Sequence, residues 1–214
     1  MRSSLHVRSR RHTRAYTAVE VLMAMTLAAI GSAAVVAMMK TAVQGDSDAR
    51  KTDVANAIAH MWTERLRMNA MQWTLPNSSG TGNNLANAKL INYINTSANT
   101  WVLPGAYMGV TTPETMSYAF DILGRDLASA DIATDATFCV HIRESWLVAQ
   151  ALPQEPGLIR ADVRVIWFRG VSSTATPASG GICDASYVVA NPDPPPPILH
   201  SVYLTTTIKE NGQQ

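Results

Sequence analysis

Between Tyr16 and Met39 the chain is apolar almost without a break, interrupted only by Thr17, Glu20, Thr26, Gly31 and Ser32. A helix rises 1.5 Å per residue, so this run spans roughly 36 Å. About 20 apolar residues suffice to cross a bilayer core, and the pattern predicts a membrane-length helix. Gln44 to Arg50 is polar, with Gly45 as a weak point. An amphipathic stripe then follows from Lys51 to Trp73. Ala55, Ile58, Ala59, Trp62, Leu66 and Trp73 recur at spacings of three, four or seven, opposite Lys51, Asp53, Asn56, His60 and Arg67. That face is expected to pack its tryptophan side on a sheet. Leu75-Pro76-Asn77-Ser78-Ser79-Gly80 ends the helix, because Pro and Gly punctuate helices.

The period changes toward the C-terminus. From Thr137 to Glu144, Phe138, Val140 and Ile142 alternate with Cys139, His141 and Arg143. From Ile159 to Phe168, Ile159, Ala161, Val163, Val165 and Trp167 alternate with Arg160, Asp162, Arg164, Ile166 and Phe168. Ile198 to Ile208 continues with β-branched and apolar residues. Three strands are predicted, joined by turns at 154–157 and 171–181. The Pro-rich segment Asn191 to Pro197 is unable to join a central strand. Residues 76–135 are a variable region, with Asn77 to Asn87 a loop. Short helices or strands are expected within Ala88 to Ile94 and Pro113 to Ala130, and Asp121 to Leu127 has helical spacing. The order of a long helix, a variable region and an antiparallel sheet makes the fold class α+β.

Charge sharpens the N-terminal picture. The first fifteen residues hold five arginines (Arg2, Arg8, Arg10, Arg11 and Arg14) and no acid. Before an apolar run, such a segment reads as the cytoplasmic flank of a membrane helix rather than a nucleic-acid-binding arm. Glu20 stands out, because a charge at the centre of a bilayer-length segment costs about 2.5–3.5 kcal/mol on insertion scales and by default marks function. An alternative is ordinary export with cleavage near Gly31-Ser32-Ala33 or Ser32-Ala33-Ala34. Against it, Glu20 would lie inside an export core of about 7–15 residues, and the helical pattern runs on past Ala34.

Ala15-Tyr16-Thr17-Ala18-Val19-Glu20-Val21-Leu22 resembles the type IV prepilin signature, in which a small residue precedes the cut and aromatic-Thr-apolar-apolar-Glu-apolar-Leu follows it. Ala15 replaces the usual Gly, Tyr16 the usual Phe, and Ala18-Val19 larger aliphatics. The resemblance implies cleavage between Ala15 and Tyr16 by a prepilin peptidase, N-methylation of Tyr16, and retention of the helix in the mature protein. It also implies that Glu20, one turn from the new amine, pairs with the amine of a neighbouring subunit and sets the filament register. The implied architecture is the type IV pilin fold, a long N-terminal helix packed on an antiparallel β-sheet. Its parts are a removed leader (1–15), a hydrophobic membrane and filament-core helix (16–50) and a periplasmic head (51–214). The head divides into an amphipathic helix half (51–75), the variable region (76–135) and the sheet (136–208).

Within that family the chain is most similar to the PilV-like branch of minor pilins, the type IV pilus modification proteins. The similarity rests on Ala59 to Asn69, with its Glu64-Arg65-Leu66-Arg67-Met68-Asn69 end, and on Asp162-Val163-Arg164-Val165-Ile166-Trp167. The implied partners are other minor pilins, the major pilin, a tip adhesin, the prepilin peptidase and the inner membrane before assembly. The implied final location is the pilus tip at the cell surface. A minor pseudopilin of a type II secretion system would carry the same leader and helix.

Removing the five leader arginines takes the formal net charge from +1 to −4, which argues against nucleic acid as a partner of the mature protein. The implied topology puts Cys139 and Cys183 on the oxidising side of the membrane, where a pair of cysteines tends to bridge. A Cys139–Cys183 disulfide is therefore expected, with two buried thiols as the alternative. The five histidines (His6, His12, His60, His141 and His200) have no metal-ligand spacing, and no cofactor motif or catalytic constellation appears. His141 beside Cys139 suggests a thiol–histidine pair, but a disulfide explains Cys139 better. Asp121, Asp126, Asp131 and Asp135 are expected on a solvated face. The tryptophans Trp62, Trp73, Trp146 and Trp167 are expected as core anchors, with Trp101 a candidate partner contact.

Overall fold

Helix α1 spans Ala18–Ala70 and continues as a 3-10 turn over Met71–Thr74. These elements come from a computed structural model that describes residues 17–74, 85–104, 116–128, 131–149, 157–168, 183 and 199–209. The leader, Ala15, Tyr16, most of the expected loop at 77–87, and the Pro-rich segment lie outside the described residues. Gly45 does not interrupt α1. A single interior glycine costs about 1 kcal/mol relative to alanine, too little to end a helix with intact turns on either side.

The chain divides into two compact units, Met1–Asp46 and Ser47–Gln214. In the first, every helical residue from Ala18 is exposed, including Leu22, Leu27, Ile30 and Met38. By length and composition α1 qualifies as a membrane-crossing helix.

The second unit holds the sheet. Short strand β1 is Ala119–Phe120, and β2 (Phe138–Val148), β3 (Leu158–Phe168) and β4 (Leu199–Lys209) have eleven residues each. They lie in the order β1-β2-β3-β4, all antiparallel. Two short helices, α2 (Ile94–Ser97) and α3 (Ile132–Asp135), and a 3-10 turn at Leu85–Asn87 complete the described elements. β2 runs past the expected end at Glu144 because Ser145 and Trp146 still pair with Arg160 and Ile159.

The register puts Ile142, Val163 and Leu204 in one row across the sheet, and Val140, Val165 and Val202 in the next. Ala55, Ile58, Ala59, Trp62 and Leu66 of α1 join this face in one core, together with Trp73. Period-3.6 and period-2 apolar faces therefore meet as the sequence pattern requires. Trp73 lies edge-on to Trp146, ring centroids 5.9 Å apart. Gly157 fits between them, since a Cβ there would come within 2.9 Å of both indoles.

The opposite face is also covered. Cys139, Ile166 and Leu199 form a second, smaller core with Leu103, Ala119 and Cys183. The outer edge of β2 is shared: β1 pairs at Phe138 and Cys139, and Val102 bridges to Ile142.

Candidate functional site

Thr17 starts α1 by accepting the N–H of Glu20 on both its carbonyl oxygen (3.0 Å) and its Oγ1 (3.3 Å). Thr17-Ala18-Val19-Glu20 thus has the Thr-x-x-Glu form of a capping box, with the N-cap hydroxyl bonded at N3. The sequence reading missed this cap, although the spacing was there to see. Glu20 lies exposed in the first helical turn, where a carboxylate is favoured by the helix dipole. Ala15 and Tyr16 are outside the described residues, so the proposed pairing partner of Glu20 is not in view.

Cys139 and Cys183 are joined in a disulfide, their Cα atoms 5.4 Å apart and 44 positions apart in sequence. Both are buried, and the bridge ties residue 183 to β2. Cys139 is thereby withdrawn from any thiol chemistry.

His141 is committed as well. Arg164 donates to its Nδ1 from Nε (3.2 Å) and from the terminal guanidinium nitrogen (2.7 Å). Nδ1 must then be the unprotonated nitrogen. Burial, and secondarily the Arg164 charge, hold the imidazole down at about 3, so it is neutral across the ordinary pH range. Beside this pair lies Asp162. It accepts from Arg143 (3.0 Å), Arg160 (2.9 Å) and Thr205 (2.7 Å), linking β2, β3 and β4. Burial opposes its charge, but the hydrogen bonds from Thr205, Arg143 and Arg160 outweigh it and its pKa is lowered.

Trp101 belongs to the same network. The guanidinium groups of Arg143 and Arg164 lie 4.5 and 4.4 Å from its ring centroid, and Tyr203 meets it edge-on at 6.0 Å. Half-buried, Trp101 covers the sheet's arginines. Trp62, Trp73 and Trp167 are fully buried as expected, and Trp167 stacks on His200.

Of the four aspartates expected on a solvated face, Asp131 and Asp135 are exposed, whereas Asp121 and Asp126 are corrected. Asp126 receives two hydrogen bonds from Arg65 of α1, at 3.1 and 2.7 Å, and a third from the Ser117 N–H. Asp121 is buried and organises a tight turn in place of the expected helical segment. Its Oδ1 accepts the N–H groups of Leu123 and Arg125, both at 2.9 Å, and Gly124 takes φ +78°. An aspartate that bonds its own following backbone favours a turn over a helix. Burial again works against the charge, but the bonds from Arg125 and Leu123 leave its pKa lowered.

The Glu64 to Asn69 string acquires a physical meaning. Arg65 binds Asp126 while stacking over Trp62 at 5.0 Å, Arg67 pairs with Glu64 at 2.5 Å, and Asn69 accepts the Leu90 N–H at 2.9 Å. Arg65 and Asn69 thereby pin the variable region to the helix. Among the described residues no group of His, Cys, Asp and Glu has the arrangement of a metal site. Compared with family models, curated proteins and solved structures, the chain gives no significant match.

Proposed function

We propose that the chain is a minor pilin of a type IV pilus, a structural subunit acting in assembly, priming and the tip complex. The observation that carries this reading is Glu20, the one charge in the apolar run from Tyr16 to Met39, placed five residues after a basic leader's Ala15-Tyr16 junction. The Thr17 cap accounts for the backbone at this point but leaves the carboxylate unassigned. A long helix that is apolar and exposed in its first half and packed on an antiparallel sheet in its second is consistent with a filament-core helix bearing a head. In this reading a prepilin peptidase removes residues 1–15 and the new amine of Tyr16 is methylated. The subunit waits in the inner membrane with its head in the periplasm. Glu20 then draws the helix into the filament by meeting the amine of a neighbour, since a charge in an apolar setting requires a partner.

Three measurements test this. The mature N-terminus is expected to be methylated Tyr16; an N-terminus beyond residue 30 would mean ordinary export. Glu20→Ala is expected to leave the protein in the membrane but abolish its incorporation into pili, and normal incorporation would overturn the assembly role. Deletion of the gene is expected to remove surface pili with protein secretion intact. The reverse outcome would assign the chain to a type II secretion pseudopilus instead.

A further inference from the structure

The core face of the sheet carries an acid. Glu144 pairs in register with Ala161 and shares its side of β2 with Ile142 and Trp146. It is only 2% exposed. Its Oε2 accepts the N–H of Ile94, the first residue of α2, at 3.1 Å, and its Oε1 has no hydrogen-bond partner. The same residue's backbone oxygen accepts the Asn99 N–H at 2.8 Å. Two further bonds, Val102 N–H to Ile142 O (2.8 Å) and its reciprocal (2.9 Å), continue the attachment. The segment from Ile94 to Val102 is thus docked on the outer edge of β2 through Glu144 and three backbone bonds.

Among the described residues, no charge on the surrounding elements compensates an ionised Glu144. On β2 and β3 the adjacent Arg143, Arg160 and Asp162 belong to the opposite face and bind one another. In the 85–104 segment the ionisable residues are Lys89, which is exposed, and Tyr93, whose hydroxyl donates to the Pro104 oxygen. The buried face of α1 holds no ionisable residue, and its Arg65 is paired with Asp126. On β4 this face presents Leu204, Thr206 and Ile208, with His200 stacked on Trp167 at the far end. A neutral acid satisfies the Ile94 N–H through its carbonyl oxygen. An ionised one leaves a charged oxygen against apolar side chains.

We propose that Glu144 is a proton-operated latch: protonated, it holds the Ile94–Val102 segment on the edge of β2, and loss of the proton releases that segment and uncovers the strand edge from Ile142 to Glu144. Burial raises the Glu144 pKa well above its usual 4.5, and the single bond from Ile94 offsets this only in part. Ionisation therefore requires water, and water reaches the carboxyl by lifting the segment. The freed edge would present unpaired N–H and C=O groups, which template strand addition. The inference is independent of the filament reading.

Amide hydrogen exchange of the full chain in detergent micelles, followed between pH 5 and 9 at Ile94, Asn99 and Val102, tests the latch. Wild-type protection factors are expected to fall about tenfold per pH unit above the ordinary 4.5 and up to the raised pKa of the latched Glu144, and to stay constant in Glu144→Gln. Constant protection in the wild type, or a parallel fall in the variant, overturns the proposal. If the variant does not fold, the carboxyl carbon of Glu144 is titrated by NMR in the wild type. A midpoint near 4.5 overturns the latch, and a raised midpoint matching the loss of amide protection supports it.

Discussion

Arg65 shows how much of the head depends on single side chains. Its guanidinium donates twice to Asp126, stacks over Trp62 and is only 10% exposed. A bidentate pair of this kind is geometrically specific, and breaking it strands a half-buried carboxylate. Arg65→Ala is expected to destabilise the head by about 2 kcal/mol, in the range for hydrogen bonds to charged groups, and Asp126→Ala by a similar amount. The double variant should cost much less than the sum of the two in denaturant unfolding, because the partners share one interaction. Strict additivity would show that the pair does not couple. The exposed Arg67–Glu64 pair is a useful contrast, since surface ion pairs contribute about 0–1 kcal/mol. Arg67→Ala should leave stability nearly unchanged.

At the scale of elements, the sheet was legible wherever apolar residues alternated. Phe138, Val140 and Ile142, and Ile159, Ala161, Val163, Val165 and Trp167, lie on the core face that their spacing implied, and the α1 stripe from Ala55 to Leu66 meets them. The segments between were not legible, because their order comes from contacts distant in sequence. Nothing local tells Trp101 that Arg143 and Arg164 will flank it, or Asp126 that Arg65 will reach it across 61 positions. The Asp121 turn was misread because its apolar residues, Ile122, Leu123 and Leu127, mimic helical spacing while the aspartate bonds its own backbone. Three substitutions test the elements, two at contacts distant in sequence and one at an open position of α1. Gly157→Ala forces a methyl into the Trp73–Trp146 contact and should lower stability by about 1–3 kcal/mol, the usual cost of overpacking. Gly45→Ala, with open space around it, is expected to be neutral or slightly stabilising. Cys183→Ser should cost about 4 kcal/mol for a loop of this length in the chain-entropy model. Equal thermal stability of oxidised and reduced protein would contradict that figure.

For the whole molecule, two buried groups impose opposite pH dependences, and their overlap predicts the shape of the stability profile. His141 is held down at about 3, against an ordinary value of 6.5. Below pH 6.5 the unfolded chain takes up a proton that the folded chain refuses, so stability is lost as pH falls from 6.5 toward 3. Glu144 is held well above its ordinary 4.5. Above pH 4.5 the unfolded chain releases a proton that the folded chain retains, so stability is lost as pH rises toward the folded pKa. Each group contributes a slope of about 1.4 kcal/mol per pH unit. Between pH 4.5 and 6.5 the slopes cancel, which leaves a plateau with a falling limb on either side. Asp162, whose pKa is lowered from 3.8, adds to the loss in acid. Unfolding measured from pH 3 to 9 is expected to show this plateau. Glu144→Gln should flatten the alkaline limb and tilt the plateau, so that stability rises with pH up to 6.5. His141→Gln should tilt it the other way, with stability rising as pH falls to 4.5. Because the two residues lie on opposite faces of β2, their substitutions should act independently, and the double variant should lose both slopes together. An alkaline limb that survives in Glu144→Gln would locate its cause elsewhere in the head and remove the energetic basis of the latch.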